Sequence, residues 1–209
     1  MTPTEKLITH MARIQTTTDA PHILLATHVL NDIRFPSWSG SGKYGQHHYG
    51  YGGLAQHVLE VFEIALQVRN YHVEGKDDYV KNYLLSEEKV FLACIYHDAG
   101  KMWDYQPVQN VLSQPGWAPA VVTDYSNWEK TQHSRNIHHV SRSASLWSQV
   151  AKDVNSNFFD EILHAILSHH GQRAWGSPVA PNSRLAWLLH LSDSLSARLD
   201  DCDTFDGVK

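Results

Sequence analysis

Residues 86–101, SEEKVFLACIYHDAGK, carry the plainest structural signal in the chain. Ser86 is a natural helix cap, and Glu87 and Glu88 place negative charge on the positive end of the helix dipole. Val90, Phe91, Cys94 and Ile95 then recur at the spacing of one helical face. Gly100 is expected to stop this helix, with His97 and Asp98 in its last turn. The longest unbroken apolar stretches, such as Phe91 to Tyr96, fall far below the ~18 to 20 residues that cross a bilayer, so no membrane span is expected.

The same periodicity extends in both directions. Upstream, Leu54, Val58, Val61, Ala65 and Val68 repeat at helical spacing, with His57 on the side of Leu54 and Val61, which points its imidazole inward. Earlier, Asp19 and Pro21 open a helix whose face is Ile23, Leu24, Leu25, Val29 and Leu30. Between the two lies a loop, residues 35–53, rich in Gly, Ser, Tyr and His. Downstream, residues 102–128 lapse into Pro, Gly and aromatic residues with a β-friendly piece at Ala120 to Thr123. That predicts an irregular excursion or small hairpin around 102–130, a lid holding Trp103, Tyr105, Trp117, Tyr125 and Trp128. Helices resume at about 138–154, 158–170 and 182–200, the last with Leu185, Leu188, Leu189, Leu195 and Leu199 on its apolar face. The expected fold is an all-α helical bundle forming one domain over 1–209, with its core at about 45–200. Helices within 1–34 pack on that core, and an acidic tail, 201–209, is frayed.

Composition narrows the class. The chain has 209 residues, 42% hydrophobic and 19% charged, too apolar for a disordered chain. Residues 1–18 lack a basic head, apolar run and cleavage site, so no secretory signal is expected. Two cysteines, Cys94 and Cys202, are too few for a disulfide framework and fit a reducing, cytoplasmic setting. A formal net charge of −5 argues against a broad basic nucleic-acid surface. Acids are absent, however, from residues 34–59, 130–152 and 162–192, which carry Arg34, Lys43, Lys130, Arg135, Arg142, Lys152, Arg173 and Arg184. If these windows converge, they give a positive field suited to an anionic substrate.

Histidine is over-used: fifteen, against seventeen Lys plus Arg. His57, His97, Asp98, His139, His169, His170 and Asp193 each sit at a helix end or on an inward face, and a helical bundle can bring such positions to one point. Imidazole and carboxylate without thiolate suit Mn, Fe, Co or Zn in a catalytic site. Seven ligands exceed one ion's need, and the economical arrangement is two ions bridged by one carboxylate and a hydroxide. Individually, His57 could be a core residue, and His97-Asp98 or His169-His170 no more than dipole-matched helix ends. A buried, unpartnered Asp193 is harder to explain that way. His10, His22, His28, His72 and His133 read as surface or packing residues, with His164 and His190 open. His47 and His48, nine or ten residues before His57, could reach over the ions. Lys101 either meets a phosphate or stays solvated. Arg142, three residues after His139, offers a bidentate phosphate clamp.

These residues resemble the HD superfamily of metal-dependent phosphohydrolases, with HDAGK standing where that family shows His-Asp followed by Gly-Lys. The flanks HHYGYGGLAQHVLEV, YHDAGK, HHVSRS, ILSHHGQRAWGSPVAP and LHLSDSLSARLD are similar to the HD module of bacterial 3′-5′ exoribonucleases that join an OB fold to an HD domain. The similarity spans about residues 45–200. It implies a single HD domain with His57, His97, Asp98 and Asp193 on one ion, and Asp98 shared with a second held by His139, His169 and His170. Two departures stand out. Fewer than fifty residues precede the motif, so no OB-fold partner is expected, which counts against processive RNA degradation. His138 also stands where a small residue is expected.

The resulting expectation is hydrolysis of phosphoric esters in nucleotides or short oligonucleotides, cyclic nucleotides and RNA 3′ ends included, by a hydroxide held on two metals. Asp98, Lys101 and Arg142 are the catalytic candidates. His47, His48, Trp175 and Arg198 are the substrate-side candidates, with aromatic residues of the excursion stacking on a base. Mn or Fe leads among the metals, ahead of Co, Ni or Zn. Activity is expected to fall below about pH 6 as imidazole ligands protonate. Small nucleotides rank slightly ahead of polymeric RNA, no membrane partner is expected, and a homo-oligomer is compatible with the sequence. Two rival readings share the ligands: an HD-type di-iron oxygenase, and a nucleotide-binding sensor that keeps its metal.

Overall fold

The computed structural model describes residues 1–112 and 120–198. Its elements in chain order are α1 (Pro3–Thr17), a 3₁₀ turn (Ile23–Ala26), α2 (Thr27–Leu30), α3 (Gly53–Val73), a π-turn (Val80–Leu84), α4 (Glu87–His97) and α5 (Lys101–Asp104). The hairpin strands β1 (Tyr105–Leu112) and β2 (Ala120–Lys130) follow, then α6 (Gln132–Asn136), α7 (His139–Val150), α8 (Ser156–Ser168), a second 3₁₀ turn (Arg173–Trp175) and α9 (Arg184–Arg198). The architecture is the expected helical bundle with one two-stranded antiparallel hairpin. No helix among the described residues is long and apolar enough to cross a membrane.

α4 is the central rod. Ser86 caps it by accepting the Lys89 N–H, and residues Glu88 through His97 are buried around its whole circumference. A helix apolar all round belongs in a core, and α4 packs against α1, α3, α7, α8 and α9. α3 lies alongside α4 and α9, with Leu54, Val58, Val61, Phe62 and Ala65 buried. Gly100 has a different role from the expected stop. Its φ is −62°, an ordinary helical value, and α4 has already ended at His97. A Cβ at Gly100 would collide with the His139 carbonyl, and the Gly100 N–H donates to Ser143 Oγ at 2.9 Å. The missing side chain lets the end of α4 touch the start of α7.

Other expectations need correction. The segment after Asp19 forms a 3₁₀ turn and a single α turn, with Leu24 outside the core. Val68 is 38% exposed, while Arg69 is buried and donates to the Leu85 and Lys81 carbonyls. Leu195 is exposed. The helices expected at 138–154, 158–170 and 182–200 run His139–Val150, Ser156–Ser168 and Arg184–Arg198. Leu199, Asp200, Trp117, Cys202 and the tail 201–209 lie outside the described residues.

Candidate metal centre

Seven side chains meet beside the end of α4: His57 from α3, His97 and Asp98 at the end of α4, His139 from α7, His169 and His170 just past α8, and Asp193 from α9. His57 Nε2 lies 3.1 Å from both Asp98 Oδ2 and Asp193 Oδ1, and 3.3 Å from His97 Nε2. On the other side of Asp98, Oδ1 stands 3.3 Å from His139 Nε2 and 3.7 Å from His169 Nε2, while His139 and His170 bring their Nε2 atoms within 3.3 Å. The donor atoms therefore form two groups, His57, His97, Asp98 and Asp193, and His139, His169 and His170, each compact enough to hold a metal ion. Asp98 offers one oxygen to each.

The rings are aimed by what lies behind them. Nδ1 of His97 donates to the Cys94 carbonyl at 2.7 Å, and Nδ1 of His169 to the Ile166 carbonyl at 2.6 Å. His139 Nδ1 lies 3.1 Å from Asp104 Oδ2, which also accepts the His139 backbone N–H. A ring whose Nδ1 carries the proton presents its Nε2 lone pair inward. His57 Nδ1 is 3.1 Å from Ser196 Oγ.

Electrostatics favour a cation here. Burial pushes His139 down to about 4 and His169 and His170 to about 3, so these imidazoles stay neutral. Burial also works against a charge on His57, yet Asp193 and Asp98 outweigh it and hold its pKa above the usual value. Asp98, though buried, is held well below the carboxylate range, chiefly by Lys101, whose Nζ lies 2.6 Å from Oδ2. Asp98 Oδ1 and His169 Nε2 are buried with no hydrogen-bond partner. Buried polar atoms are ordinarily paired, and two orphans facing each other across 3.7 Å fit divalent-metal ligation. So does the donor set of five imidazoles and two carboxylates without sulfur.

A cavity of about 800 Å³ opens over the centre, lined among others by His57, His139, His170, Asp193 and Lys101. His47, His48, Trp175 and Arg198 also line it. Arg142 does not: its Nε donates to His133 at 3.2 Å and its guanidinium lies over Trp103, so its fork is engaged away from any phosphate in the cavity. The aromatic lid is corrected too. Tyr105 lines the cavity, whereas Trp103 carries the guanidinium groups of Arg34 and Arg142 over its ring and Trp128 is buried against Trp38. Tyr125 packs on Tyr51.

Several contributors escaped the sequence reading. Asp104 holds His139 with one oxygen and His133 with the other, at 2.8 Å. Glu60 Oε2 lies 2.8 Å from His48 Nε2, Ser196 Oγ stands behind the His57 ring, and His190 Nδ1 donates to the His169 backbone carbonyl. An acid six residues after Asp98 was a usable signal, because a metal-bound histidine needs an acceptor behind it. Nothing in the sequence marked Ser196.

An all-helical bundle with a histidine–aspartate centre defines the class of protein. The HD domain family model matches residues 54–198, and the chain belongs to that family. It is 28% identical over 159 residues to the 3′-5′ exoribonuclease YhaM of Shouchella clausii and, at the same identity and length, to that of Bacillus subtilis. The match covers 75% of this chain and 41% and 42% of those relatives, so the chain corresponds to about two fifths of their length. No solved structure matches it.

Proposed function

We propose that the protein is a metal-dependent phosphohydrolase that cleaves phosphoric esters of nucleotides or short oligonucleotides. The observation that carries this reading is the division of Asp98, with Oδ2 toward His57 and Lys101 and Oδ1 toward His139 and His169. A carboxylate split this way suits two adjacent divalent ions, Mn or Fe ahead of Co, Ni or Zn. His57, His97, Asp98 and Asp193 would hold one ion, and Asp98, His139, His169 and His170 the other. Such ions, when bound, activate water and neutralise charge developing on phosphoryl oxygens.

The chain's own residues position and bind. Lys101 neutralises and orients Asp98 while facing the cavity, where it meets substrate phosphate. Asp104 keeps the His139 Nε2 lone pair directed inward. Arg142 acts through His133 and Asp104 as a positioning residue in place of the expected clamp. Trp175, 56% exposed at the rim, presents a face on which any base can stack, and Arg198 adds a cation. His47 and His48 approach the substrate from the opposite loop. The exoribonuclease name of the matched relatives supports phosphodiester chemistry. Small nucleotides rank ahead of polymeric RNA, because a cavity with Lys101 and Arg198 as its cations makes few phosphate contacts.

The test is a panel of nucleoside triphosphates, cyclic mono- and dinucleotides and short RNA with Mn²⁺, alongside metal analysis. Asp98→Ala should lose both central ions and all phosphate-ester cleavage. Unchanged metal content would overturn the assignment, and oxygen uptake without cleavage of any nucleotide would turn the reading to an oxygenase.

A further inference from the structure

We propose that His47, His48 and Glu60 form a third metal site, for a first-row divalent transition-metal ion, on the wall of the same cavity. Nε2 of His47 and of His48 lie 3.2 and 2.8 Å from Glu60 Oε2, and the three donors are close enough together to share an ion. Two imidazoles and a carboxylate are a familiar catalytic zinc set, one that leaves a position open for water or substrate. Here the open side is the cavity, which both histidines line. The crowding of donor atoms matches that in the central groups, where His57 Nε2 and Asp98 Oδ2 are 3.1 Å apart. N and O donors without thiolate admit Mn, Fe, Co or Zn.

The site is built and held. His48 has φ 61°, one of two non-glycine residues with positive φ among those described. Strained backbone of this kind persists only where its surroundings over-determine it. They do so here: the His48 carbonyl accepts the Gly40 N–H at 3.0 Å, and a Cβ at Gly53 would collide with that carbonyl. Glycine at 53 is what lets the loop close onto α3 with the His48 ring facing Glu60. Glu60 lies one helical turn past His57, and Ser196 Oγ connects the two, 3.2 Å from Glu60 Oε2 and 3.1 Å from His57 Nδ1. The His48 and His57 rings are 4.8 Å apart, so the third ion would adjoin the centre and add positive charge where a substrate's outer phosphate enters. The site goes beyond the two-ion reading and needs no part of it.

The experiment strips the full chain with chelator, dialyses it to equilibrium against Zn²⁺ and counts ions per chain by mass spectrometry. Wild type should hold three ions, Glu60→Gln and His47→Ala two, and Asp98→Ala one. Two ions in wild type, unchanged in Glu60→Gln and His47→Ala, overturn the third site, leave the central pair standing, and reduce the cluster to imidazoles hydrogen-bonded to a carboxylate. One ion in wild type, lost in His47→Ala, supports the third site and overturns the central pair. Should Glu60→Gln fail to fold through its tie to Ser196, His47→Ala decides, since that ring lies at the cavity wall, outside the core.

Discussion

His139 and His169 sit almost wholly out of water, and burial depresses their pKa values to about 4 and about 3. In an unfolded chain they would titrate near 6.5. Protons therefore bind the unfolded state first. Stability from these neutral rings is complete above pH 6.5 and drains away as the pH falls toward 4. Each ring contributes a slope of up to about 1.4 kcal/mol per pH unit in that window. Thermal melts of chelator-stripped protein should show the melting temperature dropping steeply between pH 6.5 and 4. A flat profile there would mean the rings are not buried as described. The loss of activity expected below about pH 6 moves to lower pH accordingly, because within the folded protein these imidazoles resist protonation. The residues composing the centre were legible because histidine is a costly choice for packing and they cluster at helix ends. Asp104, Glu60 and Ser196 were not, since an acceptor behind a ring is chosen by distance in space, and each of these residue types is common.

α7 begins under strain. Its cap, His138, has φ 68° and ψ 147°, a conformation that glycine adopts freely and a side chain resists. This is the position where a small residue was expected, and the backbone supplies the reason. His138→Gly should relieve about 1 to 3 kcal/mol of strain while losing up to about 1 kcal/mol to unfolded-state entropy, a net gain of about 1 kcal/mol. For a chain of this length the melting temperature should rise by about 2 to 4 °C. A fall would show that packing of the His138 ring on His139, 4.1 Å between centroids, is worth more than the strain. The other elements divide by how local their causes are. Ser86 as the cap of α4 was readable because a cap and the N–H it accepts, here that of Lys89, are three residues apart. Val68 was expected inside and is half-exposed, and Arg69, which the periodicity did not single out, is buried because the Leu85 and Lys81 carbonyls outside α3 accept its guanidinium. The hairpin was foreseen as irregular, but not the role of its aromatics: Trp128 is drawn into the core by Trp38 and by the Tyr49 hydroxyl that accepts its backbone N–H.

Across the molecule, the acid-poor windows do converge, supplying His47, His48, His57, His139 and His170 to one cavity. Their cations do not follow. None of Arg34, Lys43, Lys130, Arg135, Arg142, Lys152, Arg173 and Arg184 lines it; among the described residues the cations there are Lys101, already on Asp98, and Arg198. Attraction for an anion must then come mainly from bound metal. A non-hydrolysable nucleotide analogue, titrated by calorimetry, should bind about 100-fold or more weakly in chelator than in Mn²⁺, a difference of about 2.7 kcal/mol. Equal affinity would place recognition on the protein's own cations.

The sequence by itself determined an all-helical bundle, its family and the residue types of its centre, because periodicity, capping and a run of His-Asp signatures are local along the chain. Only the tertiary structure decided which oxygen of Asp98 faces which histidines, that Arg142 turns away, and that His47, His48 and Glu60 converge. Those facts rest on approaches between segments far apart in sequence, such as the end of α4 against the start of α7, which the absence of a side chain at Gly100 allows.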